Sequence, residues 1–243
     1  MTSLILSLIP AVVAVILAIT LHEAAHGYAA LAMGDDTARA AGRLSLNPLR
    51  HIDRMGTIIL PGFLIISQLL TVGRVIFMFG WAKPVPVAAW RFRRPRQGMM
   101  VVAAAGPAMN FFLAWLGALA LHLEPLLGAA PAAVLDDFLT YFIFANLFLG
   151  LFNLLPVPPL DGGRIVVGLL PEPLAVRWAR LERVGLLIVL LLIIVVPEAS
   201  RALGHPLDPV RWLLAAVAEP MYQLIMRLAF HSAGAAGVGA TGA

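Results

Sequence analysis

The chain has 243 residues, of which 61% are hydrophobic and only 12% are charged, and its formal net charge is +4. Soluble domains carry roughly 25% charged residues, so this composition excludes an ordinary soluble enzyme and indicates an integral membrane protein. The absence of cysteine excludes disulfides and thiolate metal ligands. No basic run is interleaved with aromatic residues on a soluble face, so we expect no nucleic acid partner.

The apolar segments predict an all-α polytopic membrane protein with four to six membrane segments, because crossing roughly 30 Å of hydrocarbon takes ~20 helical residues. The apolar stretches are 4–33, 56–80, 99–123, 137–157 and 184–197, followed by a more amphipathic stretch at 208–230. The last stretch suits either a crossing or an interfacial helix. We expect one membrane-embedded domain over 1–231, and a disordered Gly- and Ala-rich tail over 232–243.

The first apolar stretch leads into His22-Glu23-Ala24-Ala25-His26, which is an H-E-x-x-H motif. Residues i and i+4 of a helix share a face, so His22 and His26 can bind one metal ion, and zinc suits such ligands. Glu23 lies beside them, where its carboxylate can take a proton from water. Ionisable groups at membrane depth are costly, so a metal centre explains the motif better than a hydrogen-bonded pair between helices.

The arginines predict how the chain is oriented. Cytoplasmic loops are enriched in basic residues, and arginines cluster within 39–54, 91–96 and 164–183, whereas 124–137 contains acidic residues and no basic ones. All three basic loops share one side only if 56–92 is re-entrant or lies along the interface. Because arginine greatly outnumbers lysine and Ala is abundant, we expect a bacterial cytoplasmic membrane. The basic loop that follows the first apolar stretch predicts that the active site lies in the cytoplasmic half of this membrane.

Pro84 and Pro86 stand two residues apart within 81–87. This spacing suits an edge strand of a short β-hairpin around 56–92, since Pro cannot donate to a ladder. Such a strand could hold an unwound substrate segment by β-addition. An extended surface loop explains the two prolines equally well.

A third metal ligand is expected just after the fourth apolar stretch. Asp161 follows a Pro-rich break and precedes Gly162 and Gly163, and the predicted topology returns it to the side of the two histidines. A catalytic zinc site needs a third protein ligand. The alternative is an ordinary Asp-Gly turn.

Two asparagines in apolar helices, Asn110 and Asn153, are candidates for orienting a substrate carbonyl or stabilising an oxyanion. Asn153 is the better candidate, because it lies closer to Asp161 in the sequence. Either residue could instead be a hydrogen-bond partner between helices.

The ordered set of motifs resembles the site-2 protease family of intramembrane zinc metalloproteases, in its compact bacterial form without a PDZ or CBS domain. The resemblance rests on H-E-x-x-H in an early helix and on L-D-G after N-L-L-P-V-P-P. It extends to segments 42–53, 79–87 and 106–110. The sequence departs from the family pattern at Arg54, where a proline is expected after His-Ile-Asp.

The resemblance implies hydrolysis of a peptide bond within or next to a transmembrane segment, with a single-span membrane protein in the lipid bilayer as substrate. It implies one Zn²⁺ per chain, held by His22, His26 and Asp161, with Glu23 as the base; we add Asn153 as a second catalytic residue.

Two alternatives belong to other classes of protein. An inactive membrane scaffold or chaperone could retain zinc, although it would not need Glu23. A zinc transporter would need further ligands along a path to the opposite face, and the stretches at 99–123 and 137–157 supply few.

Overall fold

A computed structural model describes residues 2–74 and 80–237, with side chains over 9–74 and 80–230. Its α-helices are α1 (Thr2–Ala32), α2 (Thr37–Ala40), α3 (Leu60–Val72), α4 (Pro95–Ala120), α5 (Ala129–Asn153), α6 (Asp161–Leu169), α7 (Glu172–Arg180), α8 (Glu182–Leu190), α9 (Val196–Ala202) and α10 (Pro209–Gly237). Shorter 3-10 or π-helical segments are Pro48–His51, Arg54–Ile59, Ala89–Arg91, Leu121–Leu126 and Leu191–Val195. The described residues contain no β-strand.

Six helical stretches are long and apolar enough to cross a membrane, which confirms the predicted all-α polytopic class. They are Ile9–Ala32, Arg54–Val72, Pro95–Leu126, Ala129–Asn153, Glu182–Ala202 and Pro209–Phe230. The last corresponds to the amphipathic stretch at 208–230, which therefore has the length and composition of a span. Helix α10 continues to Gly237, and residues 238–243 of the predicted tail lie outside the described part of the chain.

Helices α1, α4 and α5 pack against one another at the centre, and α10 covers the outer face of α4 and α5. Small residues let these helices approach closely. Ala114 and Ala118 of α4 are fully buried against Ile143 of α5 and Ala229 of α10. The central position of α1 matters for function because it carries the H-E-x-x-H motif.

The segment Arg54–Val72 stands apart from this bundle, and α3 has no buried residue. The Asp53 carboxylate accepts hydrogen bonds from the N–H groups of Met55 and Gly56 and so begins the segment. Gly73, with φ of +73°, ends it in the left-handed conformation that glycine adopts readily. Whether the segment crosses the membrane or returns stays a prediction.

The described residues of 56–92 form helix and extended chain, without the β-hairpin that the prolines suggested; 75–79 lie outside the described residues. The physical reason is that the N–H groups of the extended chain donate to helical segments and to side chains rather than to a second strand. The N–H groups of Trp81 and Lys83 donate to the carbonyl oxygens of Gly56 and His51. The N–H of Val85 donates to Glu23 and the N–H of Ala88 donates to Asp35. The alternative of an extended loop therefore describes this part of the chain.

Candidate metal centre

His22 and His26 lie one helical turn apart on the buried face of α1, as the motif predicted. Their Nε2 atoms are 3.1 Å apart, and their rings meet edge to face. His22 is only 5% exposed. The two imidazoles therefore present one nitrogen each to the same small volume.

Asp161 is brought to this volume by the Pro-rich break that ends α5. Its Oδ2 lies 3.1 Å from Nε2 of His22 and 3.3 Å from Nε2 of His26. It is the first residue of α6, where the helix dipole favours a negative charge. Gly162 and Gly163 pack so closely on the backbone of the break that a side chain at either would collide with it. Asp161 is thus drawn to the histidines and is not merely part of an exposed turn.

The other ring nitrogen of each histidine, Nδ1, has a hydrogen-bond partner outside the cluster. Nδ1 of His26 lies 2.7 Å from the carbonyl oxygen of Val102, and Nδ1 of His22 lies 2.5 Å from Oδ1 of Asn110. A carbonyl oxygen can only accept, so His26 carries its proton on Nδ1 and its Nε2 keeps a free lone pair.

A metal ion fits the three convergent atoms. Oδ2 of Asp161 is buried and has no hydrogen-bond partner, and it faces the two Nε2 atoms within 4.8 Å. Ligands held about 2.0–2.1 Å from a tetrahedral zinc ion lie about 3.3 Å from one another, which matches the spacing here.

Gly106 of α4 forms the floor beneath the imidazoles. A Cβ atom there would lie 2.5 Å from Nε2 of His26 and 2.6 Å from Cε1 of His22. This residue has no functional signal of its own in the sequence. It belongs to segment 106–110, which is distinguished only by the family resemblance.

Glu23 lies next to the cluster, and the extended chain that follows residue 80 fixes its carboxylate. Oε2 of Glu23 accepts a hydrogen bond of 3.1 Å from the N–H of Val85. The same chain is anchored three residues later, where the N–H of Ala88 donates to the fully buried Asp35 over 2.6 Å. The prolines on either side of Val85 leave its N–H as the one donor at 84–86.

Asp35 is held ionised by its surroundings. Burial acts to raise its pKa, but hydrogen bonds from Thr37 and from the N–H of Ala88, together with the nearby guanidinium of Arg91, outweigh burial and lower the pKa. The carboxylate thereby joins the end of α1 to the chain that follows Gly80.

A cavity of about 390 Å³ opens beside Glu23 and His22. Its apolar wall comes from α1, α5 and α8 through Ile19, Leu149, Phe152, Leu186 and Val189, and Gly80, Trp81 and Ala82 form another side. One or two residues of an extended peptide, with apolar side chains, would fill such a space.

The two predicted asparagines occupy different environments. Asn153 lines the cavity with Glu23 and His22, and its Nδ2 donates to the carbonyl oxygen of Leu149 over 3.0 Å. Asn110 does not line the cavity: it is fully buried against His22 and donates over 2.9 Å to Asn146. Prediction from sequence missed Asn146. Its signal is that Asn146 stands seven residues before Asn153, two helical turns away on the same face of an apolar helix.

Comparison with known proteins agrees with the geometry. The sequence model of peptidase family M50 matches residues 120–196. YwhC of Bacillus subtilis, named as a proposed zinc metalloprotease, is 40% identical over 225 residues, which cover 89% of this chain and 96% of YwhC.

Two mycobacterial proteins named in the same way are also similar. Rip2 of Mycolicibacterium smegmatis is 29% identical over 181 residues, covering 74% of this chain and 64% of Rip2. Rip3 of Mycobacterium tuberculosis is 42% identical over 95 residues, covering 39% of this chain and 21% of Rip3. No solved structure matches the chain.

Similarity to YwhC over nearly the whole of both chains confirms the resemblance that the motifs suggested. The chain belongs to peptidase family M50, the family of the site-2 proteases, and it is a metalloendopeptidase built as an integral membrane protein.

Proposed function

We propose that this protein hydrolyses a peptide bond within or next to the transmembrane segment of a single-span membrane protein. The observation that carries the proposal is the buried cluster of His22, His26 and Asp161 beside Glu23 and an apolar cavity. His22 lies ten residues before the end of the candidate span Ile9–Ala32, which is about 15 Å along a helix. A site at that depth suits a substrate that arrives through the bilayer.

His22, His26 and Asp161 would hold one Zn²⁺ per chain through Nε2, Nε2 and Oδ2. When bound, zinc supplies a Lewis acid that polarises a carbonyl and lowers the pKa of water. The free lone pair on Nε2 of His26 and the unpartnered carboxylate oxygen of Asp161 support this assignment.

The carboxylate of Glu23 would act as the general base and then as the general acid. It accepts a proton from the attacking water, whose oxygen bonds to the scissile carbonyl carbon. As the C–N bond breaks, Glu23 delivers that proton to the leaving nitrogen. The hydrogen bond from Val85 fixes the carboxylate and leaves its other lone pairs for the proton.

Asn153 would hold the substrate carbonyl in the cavity. An amide NH₂ has two donors, and the bond to the Leu149 carbonyl uses one of them. The second donor remains for a substrate oxygen, where it would stabilise the negative charge that develops during attack.

The apolar cavity walls, rather than a β-ladder, would bind most of the unwound substrate segment. The N–H groups of Trp81, Lys83 and Val85 donate to Gly56, His51 and Glu23. Pro84 and Pro86 have none. The chain over 81–86 therefore offers few donors for β-addition, and burial of apolar side chains supplies the binding free energy instead.

The arginine clusters support a bacterial cytoplasmic membrane with the site in its cytoplasmic half. A zinc transporter is less well supported, since within 9–74 and 80–230 the cluster of His22, His26 and Asp161 is the one group of three such ligands close enough to share an ion. No observation favours an inactive scaffold, because Glu23 is intact and faces the cavity.

The test is cleavage of a panel of labelled single-span membrane peptides by the purified protein in lipid, with bound zinc quantified. Glu23→Gln keeps the shape and the hydrogen bond from Val85 but removes the base. We expect equal zinc in both proteins and at least a 100-fold lower cleavage rate in the variant, since general acid–base catalysis contributes about 10²–10⁴-fold.

Equal cleavage by the two proteins would overturn the assignment of Glu23. Equal zinc with no cleavage of any peptide by the wild type would favour a scaffold. A wild-type protein that holds no zinc would overturn the metal site itself.

A further inference from the structure

A line of buried polar groups runs from His22 away from the cavity and ends at a backbone carbonyl. Oδ1 of Asn110 lies 2.5 Å from Nδ1 of His22, and Nδ2 of Asn110 donates to Oδ1 of Asn146 over 2.9 Å. Nδ2 of Asn146 then donates to the carbonyl oxygen of Phe142 over 2.8 Å. Both asparagines are 0% exposed, so no solvent can replace these partners.

The direction of this line is set at its far end. The carbonyl oxygen of Phe142 can only accept, so Asn146 must turn its NH₂ group toward it and its Oδ1 toward Asn110. Asn110 must then turn its own NH₂ group toward Asn146. A second carbonyl, that of Ala18, lies 3.4 Å from the same NH₂ group and favours the same orientation.

The orientation of Asn110 determines where His22 carries its proton. Since Oδ1 of Asn110 faces the ring and can only accept, Nδ1 of His22 must carry the hydrogen. Nε2 is then left with a lone pair, which faces His26 and Asp161. If Asn110 turned over, its NH₂ group would require a bare Nδ1, and the hydrogen on Nε2 would block the metal.

We propose that Asn146 and Asn110 are positioning residues that hold His22 in the tautomer able to bind zinc, by relaying the fixed polarity of the Phe142 carbonyl. The inference rests on the proposed zinc site and not on proteolysis. It assigns a role to Asn146, which touches neither metal nor substrate. The competing explanation is that the two amides only join α4 to α5, as buried asparagines in membrane helices often do.

Zinc affinity separates the two explanations. Outer partners of metal-binding histidines are worth about 10- to 100-fold in affinity, so we expect Asn110→Leu to lose that much and Asn146→Leu to lose about 10-fold. Asn110→Asp is the matched control, because it keeps an acceptor oxygen of the same reach facing Nδ1 of His22. We expect no loss of zinc affinity in this variant.

A double variant tests whether Asn146 acts through Asn110. If it does, adding Asn146→Leu to Asn110→Leu lowers the zinc affinity little further, because the line is already broken. Should the two losses multiply, the residues act independently and the relay is wrong. Asn146→Thr serves as a second variant if Asn146→Leu does not fold, since its hydroxyl is too short to reach Asn110.

The decisive readout uses the zinc-free protein and does not depend on activity. Nitrogen NMR of ¹⁵N-histidine-labelled protein reports which ring nitrogen carries the hydrogen, and His22→Gln assigns the signal. We expect His22 protonated on Nδ1 in the wild type and in Asn110→Asp, and a mixture of tautomers in Asn110→Leu and in the Asn146 variants. An unchanged Nδ1 tautomer in those variants would overturn the proposal even if the protein cleaves its substrate, whereas failure of cleavage alone would leave it standing.

Discussion

Gly106 leaves room for the two imidazoles because it has no side chain. A Cβ atom at this position would lie 2.5 Å from Nε2 of His26, which is shorter than any ordinary non-bonded contact of a Cβ atom. At this position α4 therefore bounds the metal site with backbone alone, and the histidines have no free space there.

Replacing Gly106 with Ala is expected to displace both imidazoles and to weaken zinc binding by at least about 10-fold, comparable to the loss of an outer ligand partner. The measurement is a competition titration of the purified protein with a zinc chelator. Gly62→Ala is the control, because that glycine also lies in a helix and a Cβ atom there meets nothing within 4 Å. A wild-type zinc affinity in Gly106→Ala would mean that the two imidazoles do not pack against α4 at this position.

At the scale of residues, the sequence predicts the placement of a side chain only where the signal is local. His22, Glu23 and His26 are visible within five residues, and helix periodicity alone brings the two histidines together. Asn110 and Asn146 could not be placed in this way. His22, the partner of Asn110 at the metal site, is 88 positions away in sequence, and Asn146 is 36 positions away. No short pattern indicates which apolar helices will meet.

Among the elements, the extended chain that follows Gly80 is held in place by side chains of α1 and of the loop that follows α1. It has no strand partner, and two carboxylates of the α1 region receive its N–H groups: Glu23 from Val85 and Asp35 from Ala88. Arg91 adds an ion pair with Asp36. Loss of these contacts would release the wall of the cavity that Trp81 forms.

The lowered pKa of Asp35 predicts how this attachment depends on pH. Because the folded pKa lies below the ordinary Asp value of about 3.9, the ionised form favours folding above that pH, and the stabilisation is lost as pH falls through the folded pKa. We expect Asp35→Asn to lower the melting temperature by about 5 °C at neutral pH, from the loss of charged hydrogen bonds. The difference from wild type should shrink below about pH 4.

Thermal unfolding of the two proteins in lipid nanodiscs from pH 3 to pH 8 measures this difference directly. The Asn variant has the same volume, so it controls for packing. Two melting curves that stay parallel across the whole range would show that ionised Asp35 does not stabilise the attachment.

The membrane helices were predictable as elements, whereas the extended chain was not. Hydropathy reports burial or lipid contact over ~20 residues, so all six candidate spans were visible in the sequence. Two prolines fit both a strand and a loop. The choice between them depends on carboxylates that belong to another element, and the sequence pattern does not contain that information.

At the scale of the whole molecule, hydrogen bonds between the two ends of segment 54–80 indicate whether this segment crosses the membrane. The carbonyl oxygen of His51 accepts a hydrogen bond of 2.8 Å from the N–H of Lys83, and that of Gly56 accepts one of 3.1 Å from the N–H of Trp81. Chain that enters the segment and chain that leaves it therefore lie side by side. This contact supports the prediction of a re-entrant or interfacial segment, in agreement with the arginine clusters.

The absence of cysteine makes this prediction directly testable. Single cysteines at Leu49, Trp90 and Leu126, all largely exposed, report the loops before and after the segment and the acidic loop beyond α4. In intact cells, a membrane-impermeant maleimide should label Leu126→Cys alone, and permeabilised cells should show all three labelled.

Opposite labelling of Leu49→Cys and Trp90→Cys would mean that the segment crosses the membrane fully. That outcome would separate the basic loops and would also conflict with the hydrogen bond between His51 and Lys83, since two polar loops on opposite faces cannot be neighbours. Equal labelling would instead leave two full crossings, α4 and α5, between His22 and Asp161, and an even number is what a single site on one side of the membrane requires.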